Sequence, residues 1–560
     1  MDSVWNVKQV SEISTTLYSD FNLSEVIVHI LQERNITDPE DIQRFLYGKL
    51  DDEHDPFLLK GMDVAVIRIK EAIDRGEKIL VHGDYDVDGV TATAILGKTL
   101  EELGADYYLY LPERLKGGYG VSKKAVYYAR EQTAKLIITV DCGISAYEEV
   151  MLANSFGIDV VVTDHHCPAG EELPQAYVIV NAWQKDCPYP FKELSGVGIA
   201  YKLARALLGG AVQEKFLDLV ALGTVCDLSP LVDENRILVK YGLEKLDKGG
   251  NCGLVALKKM AKVRKKSNTG HLGFIYGPRI NASGRLGSAE WALRLLITNS
   301  RREAESLSAA LNEENKERQK LEQFILQEAI RKVEQEINFN KEKIIVIWNS
   351  SWHLGVIGIV AQRLVERYNR PTIVISLDRE AGFGRGSARS IKGLNIFQAL
   401  THASKFLTEF GGHEYAAGIE IAIGNLQLFR EHINQYAQEI VGDTSFVKQF
   451  AVDAEITFSE INKKLLMELE LLEPYGRGNP KPLFLTRGLI CKERSIFLSK
   501  NTIKLWVTDG VYTYEAIWYK ASVDTKIITG DRFDIIYNLV QRRWQDRDII
   551  TLEIKDLRMV

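Results

Sequence analysis

At 560 residues the chain is long enough for roughly three or four domains, and 46% hydrophobic with 26% charged residues is an ordinary globular composition that excludes a collagen-like or wholly disordered protein. A net charge of -6 excludes a uniformly basic coat for nucleic acid but not a basic groove, because binding depends on where charge sits. No window approaches the roughly 18 apolar residues of a membrane span, and the start MDSVWNVKQV has no charged stretch followed by an apolar one, so we expect a cytoplasmic protein with no membrane partner. The first fifty residues read as short helices, one of them over Pro39–Tyr47. β-rich apolar runs follow at 78–81 (KILV), 107–111 (YYLYL), 136–140 (LIITV), 160–163 (VVVT) and 177–180 (YVIV), with helical spacing between several of them. Apolar strands alternating with helices predict a mostly parallel sheet covered on both faces.

From 300 to about 338 the chain lacks Gly and Pro, and Leu307, Leu311, Leu321, Phe324, Ile325, Val333 and Ile337 recur at helical spacing. This predicts a long amphipathic helix with a solvated charged face, joining two lobes. A second α/β region starts at 343–348 (KIIVIW), has another strand at 372–376, and runs to about 441. Runs at 502–507, 512–518 and 532–539 predict a small β-barrel or sandwich.

The informative residues lie just after the strands of the first α/β region. The chain reads VHGDYDVDG at 81–89, ITVDCG at 138–143 and VVVTDHH at 160–166. Each places carboxylates or histidines at the carboxyl end of a predicted strand, where open parallel sheets bind ligands. One Asp after a strand is ordinarily a turn residue or helix cap, and for Asp141 or Asp227 alone that reading would win. GDYDVDG mimics a calcium loop, but it follows a strand and lacks the glutamate that ends an EF-hand loop. Acidic clusters repel unless a cation neutralises them, so the clusters together point to metal. Oxygen donors with imidazole and without thiolate suit Mn²⁺, with Mg²⁺ as the alternative. The six cysteines (Cys142, Cys167, Cys187, Cys226, Cys252, Cys491) form no CxxC pair, which argues against structural zinc and fits a reducing compartment. Several carboxylates suggest two cations, and hydrolysis of a phosphate ester or anhydride is the first reaction class to consider. A fourth acidic element, VALGTVCDLSPL at 220–231, adds Asp227.

His82, Asp86 and Asp88 before Gly89, then Asp141, then Asp164-His165-His166, then Asp227 in GTVCDLSPL, resemble in order the four motifs of the DHH phosphoesterase superfamily. Within it the chain is similar, from about residue 50 onward, to bacterial single-stranded-DNA-specific exonucleases. The resemblance implies a two-lobed α/β fold: a parallel-sheet DHH domain, a DHH-associated domain, a long joining helix, and a C-terminal β-barrel of the OB-fold. Expected boundaries are 1–50 for the N-terminal helical segment, 51–255 for the DHH domain, 256–340 for the connecting helices, 341–445 for the DHH-associated domain and 446–560 for the OB-fold. It implies 5′-to-3′ hydrolysis of single-stranded DNA to 5′ mononucleotides by two Mn²⁺ ions, in DNA recombination and repair. His82, Asp86 and Asp141 would hold one ion. Asp88, Asp141, His165 and Asp227 would hold the other. His166 would face the scissile phosphate, as a charge stabiliser or proton donor to the leaving group, while Asp84 and Asp164 would make weaker metal contacts or orient imidazoles or water.

The resemblance extends to substrate contacts. Ser387 and Arg389 in GRGSARS, with Arg114 in LPERLKGGYG, match a 5′-phosphate pocket. Gly411, Gly412 and His413 in FGGHEYAAG match a substrate contact. Arg279, Asn281 and Arg285 in PRINASGR resemble a phosphate clamp. Barrel aromatics Trp506, Tyr512, Tyr514, Trp518, Tyr519 and Trp544 are stacking candidates, most of them expected in the core. KKMAKVRKK at 258–266 reads equally as a solvated face or a phosphate track. Leu354 stands where the family has Pro, and Ser283 where Ala is common. The family suggests a monomer that works beside a single-stranded-DNA-binding protein and a helicase. Three other readings stay open: a phosphodiesterase for short oligoribonucleotides or cyclic dinucleotides, an inorganic pyrophosphatase of the same superfamily, and a non-catalytic scaffold of the same fold.

Overall fold

The structure is a computed structural model and describes residues 3–8, 20–112, 120–168, 170–286, 289–442, 446–493, 495–499, 501–519, 521, 527–544 and 547–560. It opens with a strand, β1 (Val4–Val7), where the sequence reads as helical. Helices Glu25–Glu33 and Pro39–Tyr47 follow. The second begins where expected: the Asp38 side chain accepts from the Glu40 N–H, and Pro39 occupies the first turn, where a missing donor costs nothing.

The first lobe is built on β2 (Ile79–Gly83), β3 (Tyr107–Tyr110), β4 (Leu136–Val140), β5 (Asp159–Thr163) and β6 (Val178–Val180). All neighbours are parallel, in the order β3-β2-β4-β5-β6. Alternate side chains feed two cores. Ile79, Val81 and Ile138 pack with helices Met62–Asp74, Val87–Glu102 and Gly196–Leu208, while Leu80, Ile137 and Val160 pack with Lys123–Glu131 and Tyr147–Ser155. The order reverses between β2 and β4, which makes their carboxyl ends a topological switch point.

The predicted joining helix is one unbroken element, Arg301–Glu336, of 36 residues and roughly 54 Å. The Ser300 hydroxyl caps it by accepting from the Glu303 N–H. Its first half gives Ala304 and Leu311 to the first lobe's core, and its second half gives Ile325, Ala329 and Val333 to a core of the second lobe. That lobe holds β7 (Ile345–Asn349), β8 (Thr372–Asp378), β9 (Phe383–Arg389), β10 (Leu407–Gly412) and β11 (Ala416–Ala422), in the order β10-β11-β9-β8-β7. Only β7 and β8 pair in parallel among these described strands. Leu354 is the first residue of helix Leu354–Tyr368, a position where Pro and Leu are both accommodated.

The last region contains β12 (Gln449–Val452), which pairs in parallel with β1, then β13 (Ala454–Glu455), β14 (Phe484–Cys491), β15 (Ile496–Ser499), β16 (Thr502–Thr508), β17 (Thr513–Tyr519), β18 (Arg532–Trp544) and β19 (Arg547–Met559). Because β14 pairs with both β16 and β18, the strands β14-β16-β17-β19-β18 close into a barrel whose one parallel contact is β17 with β19. This is the five-stranded connectivity of an OB-fold. The barrel core, including Phe484, Leu505, Phe533 and Leu552, is continuous with Ile27, Ile30 and Phe45 of the N-terminal helices. The N-terminal segment thus folds onto the far end of the sequence.

Arg236, on helix Asp233–Asp247, ties these parts to the first lobe. Its buried guanidinium lies 4.0 Å over the Phe45 ring. It donates to the carbonyls of Phe45 and Leu471 at 2.7 Å, Glu473 at 2.8 Å and Leu472 at 2.9 Å. Replacing it with Met would strand those carbonyls without a donor. We expect Arg236→Met to lose about 3–5 kcal/mol in denaturant unfolding, with the barrel melting separately from the first lobe, and Arg236→Lys to fall in between. An unchanged midpoint in Arg236→Met would contradict the clamp.

Candidate metal centre and adjoining cleft

The acidic residues meet at the switch point. His82 is a buried residue of β2, and Asp84 follows that strand. Asp86 caps helix Val87–Glu102, its carboxylate accepting from the Gly89 N–H at 3.1 Å. Asp88 lies in that helix's first turn, where the dipole favours an acid. Its two oxygens accept the Gly196 N–H at 2.7 Å and the Val197 N–H at 2.8 Å, from the start of the next helix. Asp141 follows β4 at φ 60°, a left-handed conformation that costs a non-glycine residue about 1–2 kcal/mol. Asp164, His165 and His166 follow β5, and Asp227 terminates helix Leu217–Cys226. The approach is close enough to dictate a glycine: a Cβ on Gly196 would sit 2.5 Å from an Asp141 carboxylate oxygen.

Ligand atoms of three trios lie within 4.8 Å of one another: Asp84, Asp86 and Asp141; Asp88, His165 and Asp227; and Asp141, His165 and His166. The His165 Nε2 is 3.1 Å from Asp141 and 3.9 Å from Asp88, so His165 and Asp141 link the trios. Asp84, expected either to orient ligands or to make a weaker metal contact, has its carboxylate among the potential ligand atoms. His82 belongs to none of the three trios. Its ring stacks on Tyr110 at 5.4 Å, its Nδ1 is 3.6 Å from the Cys142 sulfur, and its buried Nε2 has no hydrogen-bond partner among the described residues. Asp164 holds His166: the His166 Nδ1 and a carboxylate oxygen are 2.7 Å apart, and the other oxygen accepts from the Ile144 N–H.

Crowded burial dominates the electrostatics. Burial and then the Asp227 charge push Asp88 up to about 7 and raise Asp86. Burial, then Asp88 and Asp86, hold Asp141 well above the carboxylate range. Burial lowers His82 to about 4, leaving the neutral imidazole that a metal takes. Burial opposes a charge on His165 and His166, but Asp88 and Asp227 raise the first, and the Asp164 hydrogen bond raises the second. Mutually repelling carboxylates, neutral or raised for want of counter-charge, with an unpartnered imidazole beside them, fit hard divalent cations such as Mn²⁺ or Mg²⁺.

Substrate candidates are spread over both lobes. Ser387 and Arg389 share a face of β9, with the guanidinium donating to the Ser387 hydroxyl at 2.9 Å. Gly358 underlies them, since a Cβ there would lie 3.0 Å from the Ser387 oxygen. Arg114 lies outside the described residues. Gly411 and Gly412 end β10, and His413 is exposed in the following turn, its N–H donating to Ala416. Arg279 is engaged by its own helix, donating to the Ile275 carbonyl at 2.6 Å, and by Asn312 at 3.2 Å. Asn281 and Arg285 line a cleft of about 860 Å³, and Arg285 reaches the Gly355 carbonyl of the second lobe at 3.2 Å. The cleft also holds Arg318, Arg363, Arg477 and Phe274, which no motif announces. Ser283 is buried beside them, its hydroxyl donating to Ile280.

The basic run divides. Lys258 pairs with Asp247 and Lys259 with Glu305, whereas Lys262, Arg264, Lys265 and Lys266 are exposed, with no ion pair among the described residues. In the barrel, Tyr512 and Tyr519 are exposed, Tyr514 packs edge-on to Phe458, and Trp506 lies under the Lys504 ammonium. Trp518 is half-buried against the barrel core, and the Trp544 side chain lies outside the described ones.

The raised groups set a pH dependence. A carboxyl raised from 3.8 to about 7, like Asp88, stabilises the folded chain below its ordinary value and loses that contribution as pH rises through 7. The raised His165 and His166 act in the same sense, while the lowered His82 acts oppositely only below its ordinary 6.5. Metal-free protein is therefore expected to melt at a lower temperature at pH 8 than at pH 6.5. At equal free Mn²⁺ the melting temperature should rise more at pH 8, where the ligands bind without first losing protons; a concentration of 100 times Kd corresponds to about 2.7 kcal/mol of stability per site. Calorimetry at both pH values checks this, and a larger Mn²⁺ effect at pH 6.5 would contradict it.

Comparison with known proteins gives three family matches in chain order. They are the DHH family N-terminal domain over residues 78–224, the DHHA1 domain over 341–439 and the RecJ OB domain over 452–556. The single-stranded-DNA-specific exonuclease RecJ of Bacillus subtilis is 38% identical over 556 residues, covering 99% of this chain and 70% of its own length. The crystal structure of RecJ in complex with Mn²⁺ from Thermus thermophilus superposes with a TM-score of 0.85 at 30% identity, covering 99% of this chain and 79% of that one. The same protein in complex with Mg²⁺ gives 0.79 at 28% identity, over 99% and 78%. None of the helices of the described residues is long and apolar enough to cross a membrane. With the three domains matched in chain order and a RecJ relative matched over nearly the whole sequence, the chain belongs to the RecJ family of DHH phosphoesterases.

Proposed function

We propose that the chain hydrolyses single-stranded DNA from its 5′ end and releases 5′ mononucleotides, using two divalent cations. The observation that carries this is the convergence of Asp84, Asp86, Asp88, Asp141, His165 and Asp227, buried or half-buried, on one sheet edge beside a cleft of about 860 Å³. His82, Asp86 and Asp141, with Asp84 near them, form one donor set. Asp88, Asp141, His165 and Asp227 form the other, with Asp141 shared. The chemistry such cations supply is activation of water and neutralisation of charge at the phosphate oxygens.

The protein's own groups do the rest. The Gly196 and Val197 N–H groups orient Asp88. Asp164 holds the His166 ring, and against the effect of burial its hydrogen bond raises His166 above the ordinary histidine value, so His166 is suited to give a proton to the leaving oxygen. Ser387 and Arg389, with Arg114, would take the 5′ phosphate. Arg279, Asn281 and Arg285, together with Gly411, Gly412 and His413, would guide the following phosphates. A cleft lined by residues of both lobes and a barrel of OB connectivity favour a long strand over a dinucleotide. The family points to a monomer in the cytoplasm that acts in recombination and repair, fed by a helicase and a single-stranded-DNA-binding protein.

Single-stranded DNA labelled at its 5′ or 3′ end, incubated with Mn²⁺, tests the reading. The 5′ label is expected to appear at once as mononucleotide while the 3′-labelled strand shortens progressively, with duplex spared. Asp141→Ala is expected to abolish this. His166→Ala should lose roughly 10²–10⁴-fold in kcat with little change in KM. Release of the 3′ label first would overturn the polarity, and full activity in Asp141→Ala would overturn the metal assignment.

A further inference from the structure

Phe274 is the most exposed large hydrophobic side chain among the described residues, at 85%. It is carried by a π-helical turn, Leu272–Tyr276, a rare geometry that recurs at functional sites. Leu272 and Tyr276 are wholly buried, so the turn is anchored at both ends while Phe274 points outward. The turn is seated on the helix that ends at Asp227. A Cβ on Gly277 would lie 2.5 Å from the Cys226 sulfur, and the Cys226 thiol donates to the Leu272 carbonyl at 3.6 Å.

Phe274 does not stand on a convex surface. It lines the same cleft as Leu228, Asn281, Arg285 and Arg477, and Leu228 directly follows Asp227. Leu228 is itself 65% exposed at φ 64°. Arg477 donates to the Leu228 carbonyl at 3.3 Å and makes no ion pair among the described residues. An aromatic face and a guanidinium without an ion pair among the described residues, lining one cleft that opens next to a potential metal ligand, match the chemistry of an unpaired nucleic-acid strand. Bases need a flat apolar surface, and phosphates need cations. A purely apolar peptide would leave the Arg477 charge uncompensated.

We propose that Phe274 is the face on which a base of the bound single strand stacks as the strand enters the cleft beside Asp227. This rests on the reading of the chain as a nuclease for single strands. Stacking is tolerant of sequence, because every base offers a π face, and it is denied to a paired base inside a duplex. Phe274 thereby favours unpaired DNA at the threshold of the metal centre without touching the reacting phosphate.

The test measures fluorescence anisotropy of a 5′-phosphorylated 20-nucleotide strand with the full chain in chelator, so that nothing is cleaved. Phe274→Ala is expected to weaken binding roughly 5- to 100-fold, and Phe274→Trp to retain it. Strands carrying one abasic position are then scanned. At one position the abasic strand should bind the original protein as weakly as Phe274→Ala binds the intact strand, with no further loss when the two changes are combined. The melting temperature of Phe274→Ala should not fall, since the side chain is exposed. Equal binding of the intact strand by Phe274→Ala would overturn the proposal and reassign the apolar rim to a protein partner. So would a loss that no abasic position reproduces. If the unaltered chain neither binds nor degrades single strands, the nuclease reading itself fails, a result distinct from a silent Phe274→Ala in an active enzyme.

Discussion

The organising constraint is the mutual repulsion of carboxylates held out of water on one sheet edge. Asp84, Asp86 and Asp141 form one close trio and Asp88 and Asp227 meet His165 in another, and burial together with the neighbouring carboxylates raises Asp86, Asp88 and Asp141. Such a cluster persists only if the surrounding fold is stiff enough to hold it. The stiffness has visible sources. A five-stranded parallel sheet fixes three of the chain segments, and two helix N-termini turn their N–H groups on the acids. Glycine at 196 lets one of those helices approach without a clash.

Around that edge, the remaining architecture determines access. The helix Arg301–Glu336 belongs to the cores of both lobes, so the two cannot separate without exposing apolar surface from each. Contacts such as Arg285 with the Gly355 carbonyl join the two lobes across the cleft that opens beside Asp227. The barrel is fastened by a different device. Arg236 is a buried cation satisfied by carbonyl dipoles, and those carbonyls come from segments more than 400 residues apart. Buried charge without such donors would be strongly destabilising, so Arg236 is both a cost and a specification of how the parts dock.

The wall of the cleft shows how local backbone geometry serves that access. A π turn shifts the register of side chains by one residue relative to an α-helix, and here it buries Leu272 and Tyr276 while releasing Phe274. Arg318, Arg363 and Arg477 reach the same space from two helices and a turn distant in sequence. Their grouping follows from how the long helix and the barrel are placed, not from any local pattern.

Much was legible in the residues themselves. Short apolar runs flanked by helical spacing determine a parallel sheet, because a strand buried on both faces must be apolar throughout. The five runs before residue 181 became β2 to β6. Side chains just after such strands have to share one edge, since parallel strands end together, and Asp86, Asp88, Asp141 and His165 were legible for that reason, whereas Asp227, at the end of a helix, was legible only through the order of the motifs. The N-terminal strand was not, because β1 is extended only through its pairing with β12, a partner some 440 residues away. The place of Asp84 among the ligand atoms, the separation of the His82 ring from the trios, and the outward Phe274 were likewise decided by packing. Composition, periodicity and motif order determine which elements form and which chemistry they carry. Which side chains face one another across a cleft depends on distances between elements, and only the tertiary structure sets those.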